Sequence, residues 1–133
     1  MLTSKECMTK KTRNSGQWTE ARWRGFIVSA LRMASRRWPV KFEVLKKASV
    51  GRKVNAKTGK LALHYQCAKC TKTFVGLDVQ VDHIIPVVGK EGFVSWDEYV
   101  ERMFCEANNF QILCKPCHKL KTDTEKLRRK KNG

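Results

Sequence analysis

Two Cys-x-x-Cys pairs constrain this chain more than any other feature: Cys67-Ala68-Lys69-Cys70 and Cys114-Lys115-Pro116-Cys117. A Cys-x-x-Cys turn presents two thiolates about one tetrahedral edge apart, so two such turns can close a four-cysteine Zn²⁺ site. Four thiolates leave no open coordination position, so the zinc predicted here is structural. The segment between the pairs is longer than in a simple zinc ribbon, which fits an insertion that carries chemistry. Two other readings compete. Cys114-Lys115-Pro116-Cys117-His118 also matches the attachment pattern of a c-type haem. That chemistry needs export, and the N-terminus from Met1 to Lys11 has charges but no apolar core behind them. A redox disulfide would leave the second pair unexplained. Of the remaining cysteines, Cys7 is expected to be a free thiol on an arm and Cys105 a buried small hydrophobe.

The 133 residues are within the range of one domain with a modest appendage, and a small core gains from a metal staple. Lys and Arg number 28 against 12 Asp and Glu, a net charge of +16. Such an excess points to a polyanionic partner, most often nucleic acid; a merely soluble basic surface is the bland alternative. Residues 1–60 hold 16 Lys or Arg and three acids, while residues 61–133 hold 12 and nine. General phosphate contact is therefore expected from the first half. No apolar run approaches membrane-spanning length, because Arg32, Arg36 and Arg37 interrupt the best one. The expected location is a reducing cytoplasm, where paired cysteines read as metal ligands.

Met1 to Gly16 is polar and basic, and reads as a mobile arm. Thr19 can cap a following helix, in which Trp23, Phe26, Ile27, Ala30, Leu31 and Ala34 form one apolar stripe. These aromatics are expected in the core, with Arg22, Arg24, Arg32 and Arg36 left to meet DNA. Pro39 breaks the chain after Trp38, and a second helix is expected over Val40 to Ala48. Ser49 to Lys60, with three glycines or asparagines among four cations, reads as a linker and the domain boundary. Lys53 in it is a candidate DNA contact, against the plainer reading of a solvated loop. Strands are expected over Leu61 to Gln66, Thr71 to Val75 and Val79 to Ile84. Ser95-Trp96-Asp97-Glu98 matches a capping box that opens a helix, and a closing helix is expected over Cys117 to Arg129, with Lys121 on it as a further DNA candidate. His64 has no partner in sequence and reads as a strand or surface histidine.

The second constellation is Asp82-His83, Asn109 and His118. Phosphodiester hydrolysis needs a base for water and a cation on the scissile phosphate. A near-neutral imidazole can be the base, and a carboxylate with a second imidazole can hold one divalent ion with positions left open. An isolated Asp-His pair is more often a hydrogen-bonded structural pair, but here Asn109 and a Cys-x-x-Cys-His accompany it. Together these residues, over roughly Leu61 to Lys126, resemble the HNH endonucleases, also called ββα-metal nucleases. The resemblance implies that His83 is the general base, that Asp82 and His118 hold the catalytic metal, and that Asn109 pins the loop and orients His83. Asn109 is preferred to Asn108 because the family places its Asn directly before a large apolar residue, here Phe110. The stretch Ser95 to Phe104 is extra relative to short members. Neighbouring strand residues point to opposite faces, so Asp82 and His83 need a bend at Ile84 to Pro86 to serve one site.

The expectation is an α+β protein: residues 1–60 a basic, mainly helical DNA-binding extension, residues 61–133 a ββα-metal core with a four-cysteine zinc knuckle. The expected activity is cleavage of DNA, double-stranded by expectation, with Mg²⁺ or Mn²⁺ catalytic, Zn²⁺ structural, and 5′-phosphate and 3′-hydroxyl products implied by the resemblance. The alternative is a non-catalytic, zinc-stabilised nucleic-acid-binding protein on the same scaffold. The basic N-terminus resembles that of small bacteriophage-encoded HNH proteins, which would place the protein in a bacterial host cytoplasm. Monomer and homodimer both stay open.

Overall fold

Asn14, Ser15 and Gly16 take left-handed backbone angles, with φ of 53°, 54° and 79°. Such angles suit Asn and Gly, and they turn the chain back on itself. Strand β1 (Lys11–Arg13) therefore pairs antiparallel with β2 (Trp18–Thr19). The computed structural model describes residues 9–132, and side chains up to Arg129. Its Lys11–Arg13 strand corrects the expected mobile arm; Cys7 and the rest of residues 1–8 lie outside the described residues. The Thr12 hydroxyl and Arg13 Nε each donate to Glu20 Oε1 at 2.8 Å, and the Arg13 guanidinium lies 3.7 Å from the Trp23 ring centroid. Helix α1 (Glu20–Ser35) starts where expected, with the Thr19 hydroxyl accepting from the Arg22 N–H.

The apolar stripe of α1 is less buried than its spacing suggests. Ser35 is its one buried residue, while Phe26 is 63% exposed, edge-on to Trp18. The eleven described residues before the helix contribute only a two-stranded ribbon, too little to cover a whole face. Arg22, Arg32 and Arg36 are exposed and Arg24 is half-buried. Arg22 also lies over the Trp18 ring, at 4.5 Å.

The chain divides into two compact units, Met1–Arg37 and Trp38–Gly133. The break thus falls well before Lys60. Pro39 opens α2 (Pro39–Lys47), where its missing N–H costs nothing. The Trp38 indole N–H donates to the Cys105 carbonyl at 2.8 Å, and its ring meets Phe104 edge-on. Ser49–Val54, expected as linker, is strand β3, paired antiparallel with β4 (Leu61–Gln66), which in turn pairs with β5 (Thr73–Val75). Gly51 (φ 97°) absorbs a bulge in this pairing. Asn55 closes the hairpin: its carbonyl accepts from Gly59 at 2.7 Å and its N–H donates to the Lys60 carbonyl at 2.8 Å. Composition marked this stretch as loop because its cations and glycines outnumber its two valines; the strand forms because β4 supplies a partner. His64 on β4 is buried, with Nδ1 2.9 Å from the Ala62 carbonyl.

A second sheet pairs β6 (Val79–His83) with β7 (Phe110–Cys114), antiparallel from Val79↔Cys114 to His83↔Phe110. Between them runs α3 (Trp96–Met103), capped by the Ser95 hydroxyl and seated by buried Tyr99 and Met103, one turn apart. Glu98 of the expected capping box pairs with Arg102 instead. Helix α4 (Lys115–Asn132) follows β7 directly. The tightest core gathers Cys67, Leu113, Cys114 and Cys117, with Phe74 against them. The protein is α+β, and among the described residues no helix is long and apolar enough to cross a membrane.

Candidate functional site

The four expected cysteines converge. Cys67 and Cys70 lie on the turn between β4 and β5, Cys114 ends β7, and Cys117 is in the first turn of α4. All four sulfurs lie within 4.8 Å of one another, with Cys70 and Cys114 Sγ 3.9 Å apart. A tetrahedron with zinc–sulfur bonds of 2.3 Å has edges of about 3.8 Å, so the group can hold a metal such as zinc. The Ala68 N–H donates to the Ile112 carbonyl at 2.8 Å, locking the first knuckle to β7. Thr71 completes this knuckle at φ 65°, a left-handed angle uncommon for a β-branched residue. Burial pushes the Cys67 thiol up, but the N–H groups of Cys114, Cys70 and Lys69 outweigh it and bring it down to about 6. Cys117, hydrogen-bonded to Cys114 and buried, is pushed up to about 12. The cluster thus has one sulfur ready to be a thiolate, and a bound cation would draw the others into that form.

Below this knuckle the β6–β7 ribbon sets the second constellation. Asp82 pairs with Gln111 and His83 with Phe110, so the two neighbours leave the ribbon from opposite faces. The bend expected at Ile84 to Pro86 is present at Ile84 and Ile85, after both residues, and turns neither. The face carrying Asp82 is met by α4. Asp82 is 7% exposed, with Oδ1 3.6 Å from His118 Nε2. That is too long for a hydrogen bond; two neighbouring ligands on an octahedral ion with bonds of about 2.1 Å stand about 3.0 Å apart, so a shared ion would draw the two atoms closer. The other oxygen, Oδ2, accepts from Gln111 Nε2 at 2.9 Å and lies 3.3 Å from Lys121 Nζ. Gln111 and Lys121 therefore hold the carboxylate so that Oδ1 faces His118.

The His83 ring lies on Phe110, with centroids 4.8 Å apart, and its Nε2 is 2.9 Å from the Met103 carbonyl. A carbonyl only accepts, so Nε2 carries the hydrogen and the neutral ring keeps its lone pair on Nδ1. Burial holds His83 below the usual imidazole range, against a smaller upward pull from the Met103 hydrogen bond. The ring is thus neutral and basic at pH 7. Asn109 acts on backbone: its Oδ1 accepts from the Ile85 N–H at 2.9 Å, and its own carbonyl accepts from the Ile84 N–H at 2.8 Å. It pins the loop after His83, whereas the ring is oriented by Met103 and Phe110.

Sequence reasoning missed Gln111 and the Met103 carbonyl. The register β6–β7 would have pointed to Gln111; a backbone carbonyl leaves no mark in sequence. Lys121 is half-buried, and its ammonium reaches the His83 carbonyl at 2.9 Å, Asp82 and Glu125. Lys53 is exposed on β3. The chain matches no protein-family model, no curated protein and no solved structure.

Proposed function

We propose that this chain is a metal-dependent endonuclease of the HNH type that hydrolyses DNA. The supporting observation is the antiparallel β6–β7 pair followed at once by α4: Asp82 and His118 meet on one face of the ribbon, and His83, with Asn109 holding the loop after it, leaves from the other face at the same end. In this reading Asp82 Oδ1 and His118 Nε2 would hold a divalent ion such as Mg²⁺ or Mn²⁺. When bound, the ion supplies positive charge to the scissile phosphate and its leaving oxygen. His83 Nδ1 takes the proton from the attacking water, while Nε2 stays committed to Met103. Asn109 keeps the following loop from swinging across the ring. The four-cysteine centre would hold structural zinc and thereby fix where His118 points, one residue beyond Cys117. The +16 charge supports a nucleic-acid partner, and the exposed arginines of α1 are the proposed phosphate contacts.

The test is nicking of supercoiled plasmid in Mg²⁺ and in Mn²⁺, with and without chelator, by the wild type and a His83→Ala protein prepared alike. Loss of the base should slow cleavage by about 10²–10⁴-fold and leave DNA binding unchanged. Equal rates would remove His83 from the chemistry. No cleavage by the wild type with any divalent ion would leave a zinc-stabilised binding protein.

A further inference from the structure

Beside Asp82 opens a cleft of about 470 Å³. Gln111 and Lys121 belong to both places, since each contacts Asp82 and each lines the cleft. Part of the lining is apolar: Ile84, Pro86 and Leu113. Ile84 is 44% exposed, so its side chain is open to whatever enters the cleft. The cations of the lining are Lys69 from the cysteine knuckle and Lys121 and Arg128 from α4, beside the polar Gln111 and Thr124. Glu125 is the one acid among the lining residues; Lys121 is paired with it and with Asp82, so the other cations of the lining are Lys69 and Arg128.

This lining suits a ligand that joins an apolar plate to more than one anionic group, and a nucleoside phosphate is that ligand. The volume falls within the range of small-ligand sites, about 300–1,000 Å³. A base stacked and paired in a duplex cannot enter without leaving its stack; an unpaired base enters at little cost. We propose that this cleft takes one unpaired nucleotide adjoining the phosphate that Asp82 and His118 serve. The substrate class is then nucleic acid with a single-stranded or distorted segment at the cut. This rests on the nuclease reading for the neighbouring phosphate, but binding of the nucleotide itself needs no cleavage.

The experiment is calorimetric titration of the full zinc-loaded chain, without added Mg²⁺ or Mn²⁺. The probes are thymidine 3′,5′-bisphosphate and the same deoxyribose bisphosphate lacking its base. The base-bearing probe should bind several-fold more tightly, less than a base stacked on an aromatic ring gains, because the plate here is aliphatic. Ile84→Ala and Lys69→Ala should each weaken its binding several-fold, with urea midpoints unchanged. Ile84→Ala acts through the base, so it should leave the abasic probe unaffected. Equal affinity for the two probes overturns the proposal, because the site would then read phosphate only. Unchanged affinity in both variants overturns it as well. Plasmid nicking without nucleotide binding sinks the cleft and spares the nuclease; base-selective binding without nicking of plasmid or single-stranded DNA does the reverse.

Discussion

At the scale of single residues, the candidate site is a set of divided duties. Asp82 offers Oδ1 toward His118 because Gln111 and Lys121 occupy Oδ2. His83 offers Nδ1 because Met103 occupies Nε2. Burial lowers His83 from its ordinary value, so fewer protons are bound at any given pH and the neutral base survives further into acid. The acid limb of the cleavage rate should therefore have its midpoint below about 6.5, and a nearby cation would push it the same way. A midpoint above the free imidazole value would mean that another group is titrating. Asn109 and Asn108 separate cleanly. Asn109→Ala removes the acceptor of the Ile85 N–H and should cost about 1 kcal/mol in urea unfolding, with slower nicking. Asn108 is exposed, and Asn108→Ala should change neither. If the two variants behaved alike, the loop-pinning role of Asn109 would be lost.

At the scale of elements, the cysteine knuckle ties the β4–β5 turn to the junction of β7 and α4. The β4–β5 turn, the end of β7 and the start of α4 meet at four sulfurs, and the tightest core is built around them. Cys67→Ser should therefore destabilise the Trp38–Gly133 unit by several kcal/mol, and elemental analysis of the wild type should give one zinc per chain. A folded wild-type protein free of metal, as stable as the loaded one by circular dichroism melting, would contradict this. Helix α3 also has a structural duty. Its last residue, Met103, supplies the carbonyl that holds the His83 ring. Helix α2 and strand β3 change allegiance: both carry the basic composition of the N-terminal half, and both pack with the second unit.

At the scale of the whole molecule, charge and chemistry are distributed unequally between two units. The exposed Arg22 and Arg32 and the half-buried Arg24 belong to the first, and the four-cysteine and Asp-His-Asn-His sets to the second. Neutralising these three arginines should weaken DNA binding for all sequences alike and flatten the dependence of log Kd on log salt by about two to three. An unchanged slope would move the grip to the cations of the second unit. Much of this was legible in the residues alone. Cys-x-x-Cys spacing is local, so it announced the four-sulfur cluster without a fold. Thr19 and Ser95 marked helix starts because a cap bonds to the N–H three residues on, again a local matter. The order Asp82, His83, Asn109, His118 suggested the candidate site only through its resemblance to the HNH pattern. What could not be read depends on partners distant in sequence. Ser49–Val54 is a strand only because β4 lies beside it, and Phe26 stays exposed because too little chain covers α1. Gln111 reaches Asp82 only through the register of β6 on β7, and Met103 reaches His83 only because α3 ends above that ribbon. Spacing along the chain determines which side chains can act together locally; long-range pairing alone decides which backbone groups and neighbours they meet.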